Sequence, residues 1–248
     1  MGRTVVEAGP PGAGFGTARG AVPRARLRRA AFIDRPARAP RADGRAVNSS
    51  RVPRLLTLPV SVDDVRELHV GDDVLFSGRV LTARQAGHAY LARALDPRLA
   101  ALLAGRFLYH CAPIVAQDPE THAWRVVAAG PSTSAREEAF EADVIRCYGV
   151  RGVVGKGGMG PATLAALRAH GAVYLHAVGG LATALARRVT RVNGVHLLDE
   201  LGVSEALWDL EVSEFPAIVT MDAHGESLHA TLEGEDAAAR ALLERKSV

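Results

Sequence analysis

The spacing of hydrophobic residues changes several times along the chain after about residue 54, and each spacing predicts a different element. Alternating or continuous apolar runs predict strands over 73–81, 106–115 and 123–130. Apolar residues at helical spacing predict helices over 82–95 and 134–149. This half of the chain is therefore richer in strands than a regular strand–helix alternation.

The remainder of the chain alternates strands with helices. The predicted strands are 150–155, 172–178 and 194–198, and the predicted helices are 161–171 and 179–189. Residues 206–232 predict two or three strands with a turn at AHGES, and 235–246 predicts a terminal helix. The order of elements predicts an α/β fold with a mixed sheet.

The first 50 residues differ in composition from everything that follows. They hold ten arginines and no lysine against three acids, a balance of +7, so the rest of the chain carries −4 of the total of +3. Such an Arg-, Ala-, Pro- and Gly-rich segment buries too little apolar surface to offset its chain entropy. It predicts a disordered tail over 1–50, before a domain over 51–248. A transit peptide and a nucleic-acid arm are alternatives, but the segment is poor in serine and in interleaved aromatics, so no nucleic-acid partner is expected.

The remaining composition is that of a globular protein, at 48% hydrophobic and 23% charged residues. No apolar stretch has the length of a membrane span, and no secretory signal pattern is visible at the start. Cys111 and Cys147 are too few for a disulfide framework. We therefore expect a cytoplasmic protein without a membrane partner.

The stretch GKGGMG, residues 155–160, places a lysine between glycines after a predicted strand. It lacks the Gly-x-x-x-x-Gly-Lys-Ser/Thr order of a Walker loop, and the next strand carries no acid to hold a ribose, so a dinucleotide is a minor alternative. A Lys156 ammonium flanked by the backbone of Gly155 and Gly157 suits a small anion such as a carboxylate.

Two further strand-to-helix turns combine hydroxyls with a cation. One carries Ser132, Thr133 and Arg136. The other carries Thr82 and Arg84, with His88 one turn later on the same helix face. A cation in the first turn of a helix opposes the helix dipole unless an anion binds there, so these turns predict anion-binding groups. Ser134 and Glu137 have the spacing of a capping box.

These blocks, taken in order, resemble the β subunit or C-terminal domain of class I fumarate hydratases, a family that includes the β subunit of L(+)-tartrate dehydratase. The resemblance covers about residues 54–232. It is carried by SGRVLTARQAGH, YHCAPIV, GPSTSAR, GVVGKGGMGPATL, AVYLHAVGG, LDELGVSEALWDLEV and FPAIVTMDAHGESLH. It implies a swivelling three-layer β/β/α domain.

The resemblance also implies a chemistry, the reversible addition of water to fumarate or a related small dicarboxylate. A [4Fe–4S] cluster held by a partner α subunit would act as Lewis acid, with none bound by this chain alone and an (αβ)₂ assembly. Arg84, Arg136 and Lys156, with Gly155 and Gly157, would bind the substrate carboxylates.

Hydroxyl groups complete the implied site. Ser132 and Thr133 would stand near the reacting carbon, with Ser132 as the candidate base, and Thr82 and His88 would support the arginines. No metal ligands are predicted in this chain, because no metal-ligand spacing links the histidines. The histidines at 88, 110, 176 and 224 are interpreted as structural or as supporting the site, not as catalytic.

The sequence departs from the family pattern at three positions. Gln85 replaces an aspartate, Ala112 replaces a glycine, and Ser132 replaces a threonine. Three functions stay open at this point: a fumarate hydratase β subunit, a tartrate dehydratase β subunit, and a non-catalytic dicarboxylate-binding relative. A neighbouring gene for a three-cysteine α subunit would favour the first two.

Deletion of residues 1–50 is expected to leave the fold intact, because a segment that buries little apolar surface contributes little to stability. Thermal unfolding of the full and truncated chains checks this. A melting temperature lowered by many degrees in the truncated chain would show instead that the segment is a structural arm.

Overall fold

The computed structural model describes residues 52–234 and 236. Its strands are β1 (Arg54–Thr57), β2 (Asp73–Thr82), β3 (Phe107–Tyr109), β4 (Ile114–Gln117), β5 (Trp124–Ala128), β6 (Gly152–Gly155), β7 (Val173–His176), β8 (Val189–His196) and β9 (Leu207–Met221). Its helices are α1 (Val62–Arg66), α2 (Gln85–Arg93), α3 (Pro97–Leu103), α4 (Glu138–Tyr148), α5 (Pro161–His170), α6 (Ala182–Ala186) and α7 (Leu198–Leu201). A 3₁₀ turn at Ser134–Arg136 precedes α4, and residues 228–234 are helical.

Two predictions fall on other parts of the chain. The predicted tail over 1–50 and nearly all of the predicted helix over 235–246 lie outside the described residues. Within the described part, no helix is both long enough and apolar enough to cross a membrane.

Seven strands form one mixed sheet in the order β1-β2-β3-β6-β7-β9-β8. The pairs from β1 to β7 are parallel, whereas β9 runs antiparallel to β2, β7 and β8. Because β9 pairs with β2 as well as with β7, strands β2, β3, β6, β7 and β9 close into a ring. The predicted α/β fold with a mixed sheet is confirmed, and the closure of the ring is a feature that the pattern did not predict.

Two hydrophobic layers lie on opposite faces of this sheet, because successive side chains of a strand point to opposite sides. In β3, Phe107 and Tyr109 join the core inside the ring, whereas Leu108 faces the helices. The inner core includes the fully buried Trp208 and is covered by β8 and by the β4–β5 hairpin. The outer core packs against α2, α3, α4 and α5. The result is three layers, β/β/α.

The single strand predicted over 106–115 is wrong. The structure has two short strands there, β3 and β4, which belong to different sheets. Between them Cys111 pairs with Pro131, and the chain leaves the main sheet. Pro113 lacks a backbone N–H and cannot extend a sheet ladder, which is the physical reason for the break.

The helix predicted over 82–95 starts later, at Gln85. Thr82 is instead the last residue of β2, where it pairs with Tyr109, and its Oγ1 accepts a hydrogen bond from Trp208 N at 3.0 Å. The helix ends at Arg93, and β1, α1 and α3 are elements that the hydrophobic pattern did not separate.

The two or three strands predicted over 206–232 are wrong, because β9 is one strand of 15 residues. The predicted turn is present, but it leads into the helical residues 228–234. Asp222 Oδ1 closes the turn by accepting hydrogen bonds from the backbone N of His224 at 2.9 Å and of Glu226 at 3.0 Å. The strand predicted at 194–198 also begins earlier, as β8.

The parallel strands β2, β3, β6 and β7 end at the same edge of the sheet. The turns that follow β2 and β6 carry Arg84 and Lys156. Ligands of α/β proteins bind at the carboxyl ends of strands, so this edge is where the predicted site has to be sought.

Gly152→Ala is expected to destabilise the fold by about 1–3 kcal/mol, because a methyl group at this position in β6 would collide with the buried Phe107 ring. Gly194→Ala in β8 is the matched control, since nothing lies within 4 Å of its added methyl group. Urea unfolding of both variants measures the difference. Equal stability of the two variants would contradict the packing between β3 and β6.

Candidate active site

The turn with three hydroxyls is inserted between the ends of β3 and β6. Ser132 N donates to His110 O at 2.7 Å, Lys156 N donates to Ser132 O at 3.2 Å, and Ser134 N donates to Lys156 O at 3.0 Å. Thr133 pairs in parallel with Lys156. The structure thus brings the hydroxyl turn and the glycine–lysine loop together through the backbone, although they are far apart in sequence.

Lys156 is half-buried, and its stem runs over the turn after β7. Its Cδ would lie 3.5 Å from a methyl group on Gly179. Within residues 52–234, no carboxylate forms an ion pair with Lys156 or with the exposed Arg136. Both cations are therefore available to a bound anion.

The glycines of the loop have distinct roles. A side chain on Gly155 would overlap the hydroxyl oxygen of Ser134, so this glycine lets a neighbouring turn approach. Gly157 has φ +84°, a left-handed conformation that glycine adopts without strain. A cleft of about 260 Å³ lies beside Gly157 and Gly158, but Lys156 and Arg136 do not line it.

Ser134 does not cap a helix, so the predicted capping box is wrong. Its buried Oγ lies 2.9 Å from His110 Nδ1 and 2.8 Å from the Tyr174 hydroxyl. The first turn after it is 3₁₀, and Glu137, at the N-cap of α4, makes no side-chain capping bond. A buried hydroxyl needs hydrogen-bond partners, and here His110 and Tyr174 provide them at the edge of the sheet. Ser134 is therefore the centre of a buried polar network.

His88, His110 and Glu141 form a buried group below these turns, here called the His–Glu–His cluster. Glu141 Oε2 lies 2.9 Å from Nε2 of each histidine, and all three side chains are 0% exposed. Burial opposes every charge here, but the attraction of Glu141 raises the pKa of His88, and both histidines lower the pKa of Glu141 to about 2. Burial lowers the pKa of His110.

The predicted cation Arg84 already has an acidic neighbour. Its Nη1 lies 3.0 Å from Glu205 Oε1, and Glu205 Oε2 accepts from Ala86 N at 3.0 Å. Gln85, which stands where an aspartate was expected, is exposed. The Arg84 side chain is 26% exposed, so part of its guanidinium still faces solvent.

Two supporting residues have structural contacts. Thr82 holds the start of β9, and His88 Nδ1 donates to Arg84 O at 2.9 Å, which fixes the turn that carries the arginine. Ala112 does not have a positive φ, so alanine is unstrained at this position.

Sequence reasoning missed the groups that join the turns, namely Tyr174, Glu205 and the pairing of His110 with Glu141. They come from separate elements, and no spacing along the chain relates them. The three adjacent hydroxyls of the turn were the one available signal, because a helix cap needs one hydroxyl and this turn has three.

The described residues do not fit an iron–sulfur cluster. Such a cluster with one open iron needs three thiolates, and the chain has only Cys111 and Cys147. Burial raises the pKa of the Cys111 thiol to about 12, which keeps it protonated. Cys147 lies on α4 and is half-buried.

Comparison with known proteins agrees with the geometry. The sequence profile described as "Fumarase C-terminus" matches residues 32–232, more than half of the chain. The chain belongs to this family. The predicted family is therefore confirmed, while the match begins inside the segment predicted as a tail, so the boundary at residue 51 stays a prediction.

Three relatives illustrate the family. A class I fumarate hydratase of Geobacillus stearothermophilus is 47% identical over 182 residues, 73% of this chain and 34% of that protein. L(+)-tartrate dehydratase β subunits of Methanocaldococcus jannaschii and Escherichia coli K12 are 41% and 37% identical, over 67% and 71% of this chain and 86% of each relative. The chain thus spans about a third of the first relative and most of the other two.

At pH 8 a thiol reagent such as Ellman's reagent is expected to label Cys147 slowly and Cys111 not at all in the folded chain. A thiol with a pKa of about 12 is less than about one part in a thousand thiolate at this pH. Both thiols should react in denaturant. Mass spectrometry of the labelled peptides separates the two, and rapid labelling of Cys111 in the folded chain would contradict its burial.

Proposed function

We propose that this chain is the β subunit of a two-subunit iron–sulfur hydro-lyase that interconverts fumarate and L-malate. The observation that carries the proposal is the backbone pairing of the Ser132–Thr133 turn with Lys156 at the carboxyl ends of the strands. At the edge of the sheet where α/β proteins bind ligands, it joins hydroxyls to a cation that has no ion-pair partner within residues 52–234.

The cations are proposed to bind the two carboxylates of the substrate. Lys156 and Arg136 carry no competing acid among the described residues, which supports this role. Arg84 is shared with Glu205, but a guanidinium has five N–H donors, so some remain for a substrate oxygen. The pairing with Glu205 also fixes the direction of the Arg84 side chain.

Ser132 is proposed as the group that takes the proton from the carbon next to a carboxylate as the hydroxyl of malate leaves. A serine hydroxyl is a weak base, so its pKa must be lowered by nearby positive charge. The backbone N of Lys156 donates a hydrogen bond to Ser132 O, so the lysine lies beside the serine, which supports this arrangement. The exposed Thr133 supplies a second hydroxyl on the same turn.

The iron–sulfur cluster is proposed to belong to an α subunit, because the described residues do not supply its ligands. The proposed assembly is (αβ)₂, in which the α subunit covers the edge of the sheet that carries the cations. The chain spans 86% of two β subunits that are named as such, which supports a separate subunit. The two free cysteines suit the proposed cytoplasmic location.

A tartrate dehydratase β subunit is the second candidate. It is favoured by the same coverage of the β-subunit relatives and by the nature of the site. Lys156, Arg136 and Arg84 recognise carboxylates, which fumarate, malate and tartrate share. Turnover of L(+)-tartrate against L-malate by the assembled enzyme distinguishes the two.

Arg136→Ala is expected to lower kcat/KM of the assembled enzyme by about 10- to 100-fold, because a charge-assisted hydrogen bond is worth about 1.5–3 kcal/mol. Arg136→Lys should also be poor if the guanidinium binds a carboxylate with two N–H groups. Arg125→Ala is the control, since Arg125 is exposed on β5. Spectrophotometry of fumarate formation measures all variants.

Assays of the isolated chain accompany this experiment, and no turnover is expected without the α subunit. A kcat/KM of Arg136→Ala within twofold of the wild type would remove Arg136 from the site. An equal loss in Arg125→Ala would show that the effect is not local. Turnover by the isolated chain would overturn the division of roles between the subunits.

A further inference from the structure

The His–Glu–His cluster supplies no group that binds or deprotonates the substrate in the proposed reaction, although His88 Nδ1 holds the turn that carries Arg84. His88 comes from α2, His110 follows β3, and Glu141 comes from α4, so the group joins two helices to the sheet. Each side chain is 0% exposed, and one donor atom from each lies within 4.8 Å of the others.

The approach of His88 to Glu141 has the distance of a hydrogen bond but not its angles. His88 Nε2 lies 2.9 Å from Glu141 Oε2, yet among the described residues it has no hydrogen-bond partner with acceptable geometry. Two donor atoms bound to one ion at about 2.1 Å lie roughly 3.0–3.4 Å apart and point at the ion, not at each other. The 2.9 Å separations of Glu141 Oε2 from both Nε2 atoms are close to this spacing, and one ligand atom of each residue lies within 4.8 Å of the others. The contact of His110 Nε2 with Glu141 Oε2 also has the geometry of a hydrogen bond, which the ion would replace.

In each imidazole, Nδ1 points away from Glu141 and has a hydrogen-bond partner of its own, as in histidine ligands of metal sites. His88 Nδ1 donates to Arg84 O at 2.9 Å, so that whenever the ring is neutral its Nε2 carries a lone pair directed into the cluster. His110 Nδ1 lies 2.9 Å from Ser134 Oγ, an oxygen that can accept a hydrogen bond from the ring N–H. Histidine ligands of metal ions characteristically have such a partner on the other nitrogen.

Two buried carboxylate oxygens in or near the cluster also lack partners. Among the described residues Glu141 Oε1 and Glu137 Oε2 have no hydrogen-bond partner, and Glu137, which is 1% exposed, interacts electrostatically with His88 and Glu141. Buried polar atoms without partners are rare and indicate an ion or a water that would satisfy them. A divalent cation would also balance the charges of the two carboxylates.

From this arrangement we propose that His88, His110 and Glu141 bind one divalent transition-metal ion of the Zn²⁺ type, with Glu137 as a nearby balancing carboxylate. Two imidazole nitrogens and a carboxylate oxygen are a ligand set that zinc and similar ions accept. Because the cluster is fully buried, the ion is structural: it ties α2 and α4 to the end of β3, beneath the turn that carries Arg84. This site is independent of the proposed dehydration reaction.

The test is metal binding by the full chain after treatment with a chelator. Zn²⁺ should bind with a stoichiometry of one and raise the melting temperature. Co²⁺ should bind in its place and give a visible absorption spectrum typical of nitrogen and oxygen ligands. Neither readout requires an α subunit or enzymatic turnover, so the result does not depend on the proposed function.

Variants locate the site. Glu141→Gln and His110→Gln should each weaken Zn²⁺ binding at least about tenfold, since each removes a ligand. The control is the double variant His69→Gln/His224→Gln. These two exposed rings stack with their centroids 4.5 Å apart, so they are the surface pair best placed to bind zinc adventitiously. The control variant should keep the affinity of the wild type.

Three results would overturn the proposal. Wild-type chain that binds neither ion would show that the cluster is an ion pair between protonated His88 and Glu141. Loss of binding in the control variant would place the ion on the surface. Unchanged Zn²⁺ binding by both cluster variants would exclude the cluster as the metal site. If one variant does not fold, the other variant and the titration of the wild-type chain still test the proposal.

Discussion

The close approach of the Ser134 hydroxyl to the backbone of Gly155 is the contact on which the site depends. Only a residue without a side chain allows the hydroxyl turn to enter between β3 and β6. Once there, its backbone bonds to His110 and Lys156 place Ser132 beside the lysine, and its hydroxyl joins His110 to Tyr174. The candidate active site is therefore an extension of the sheet, and its precision comes from the regular geometry of the strands.

The same turn connects the surface of the protein to its interior. Above it are the exposed Arg136 and the half-buried Lys156, and below it is the fully buried His–Glu–His cluster. Charge is tolerated in the buried cluster because Glu141 lies within hydrogen-bonding distance of both histidines. The cations above need no such partner, because they are at least partly exposed to solvent. A polar network is rigid when every member has a partner, so the proposed metal ion, by binding the unpartnered atoms of the cluster, would make this support rigid.

The ring of strands supports this arrangement from the other side. Strand β9 closes the ring by pairing with both β2 and β7, and the Thr82 hydroxyl fixes its first residues. Glu205, just before β9, then meets Arg84, just after β2. The closure thus sets the direction of one of the three proposed substrate-binding cations, so the long strand contributes to the site as well as to the core.

The sequence by itself determined the mixed α/β fold, the family and the turns that carry the cations, because these follow from local periodicity and from short contiguous motifs. Through the family resemblance it also implied that Lys156 and the hydroxyls of residues 132–133 belong to one site. Only the tertiary structure decided that Ser134 is a buried hub and not a cap, that Arg84 pairs with Glu205, and that His88, His110 and Glu141 meet. Those contacts join elements distant in the chain, and they depend on how β9 closes the sheet and how α2 and α4 pack on it, which no local pattern records.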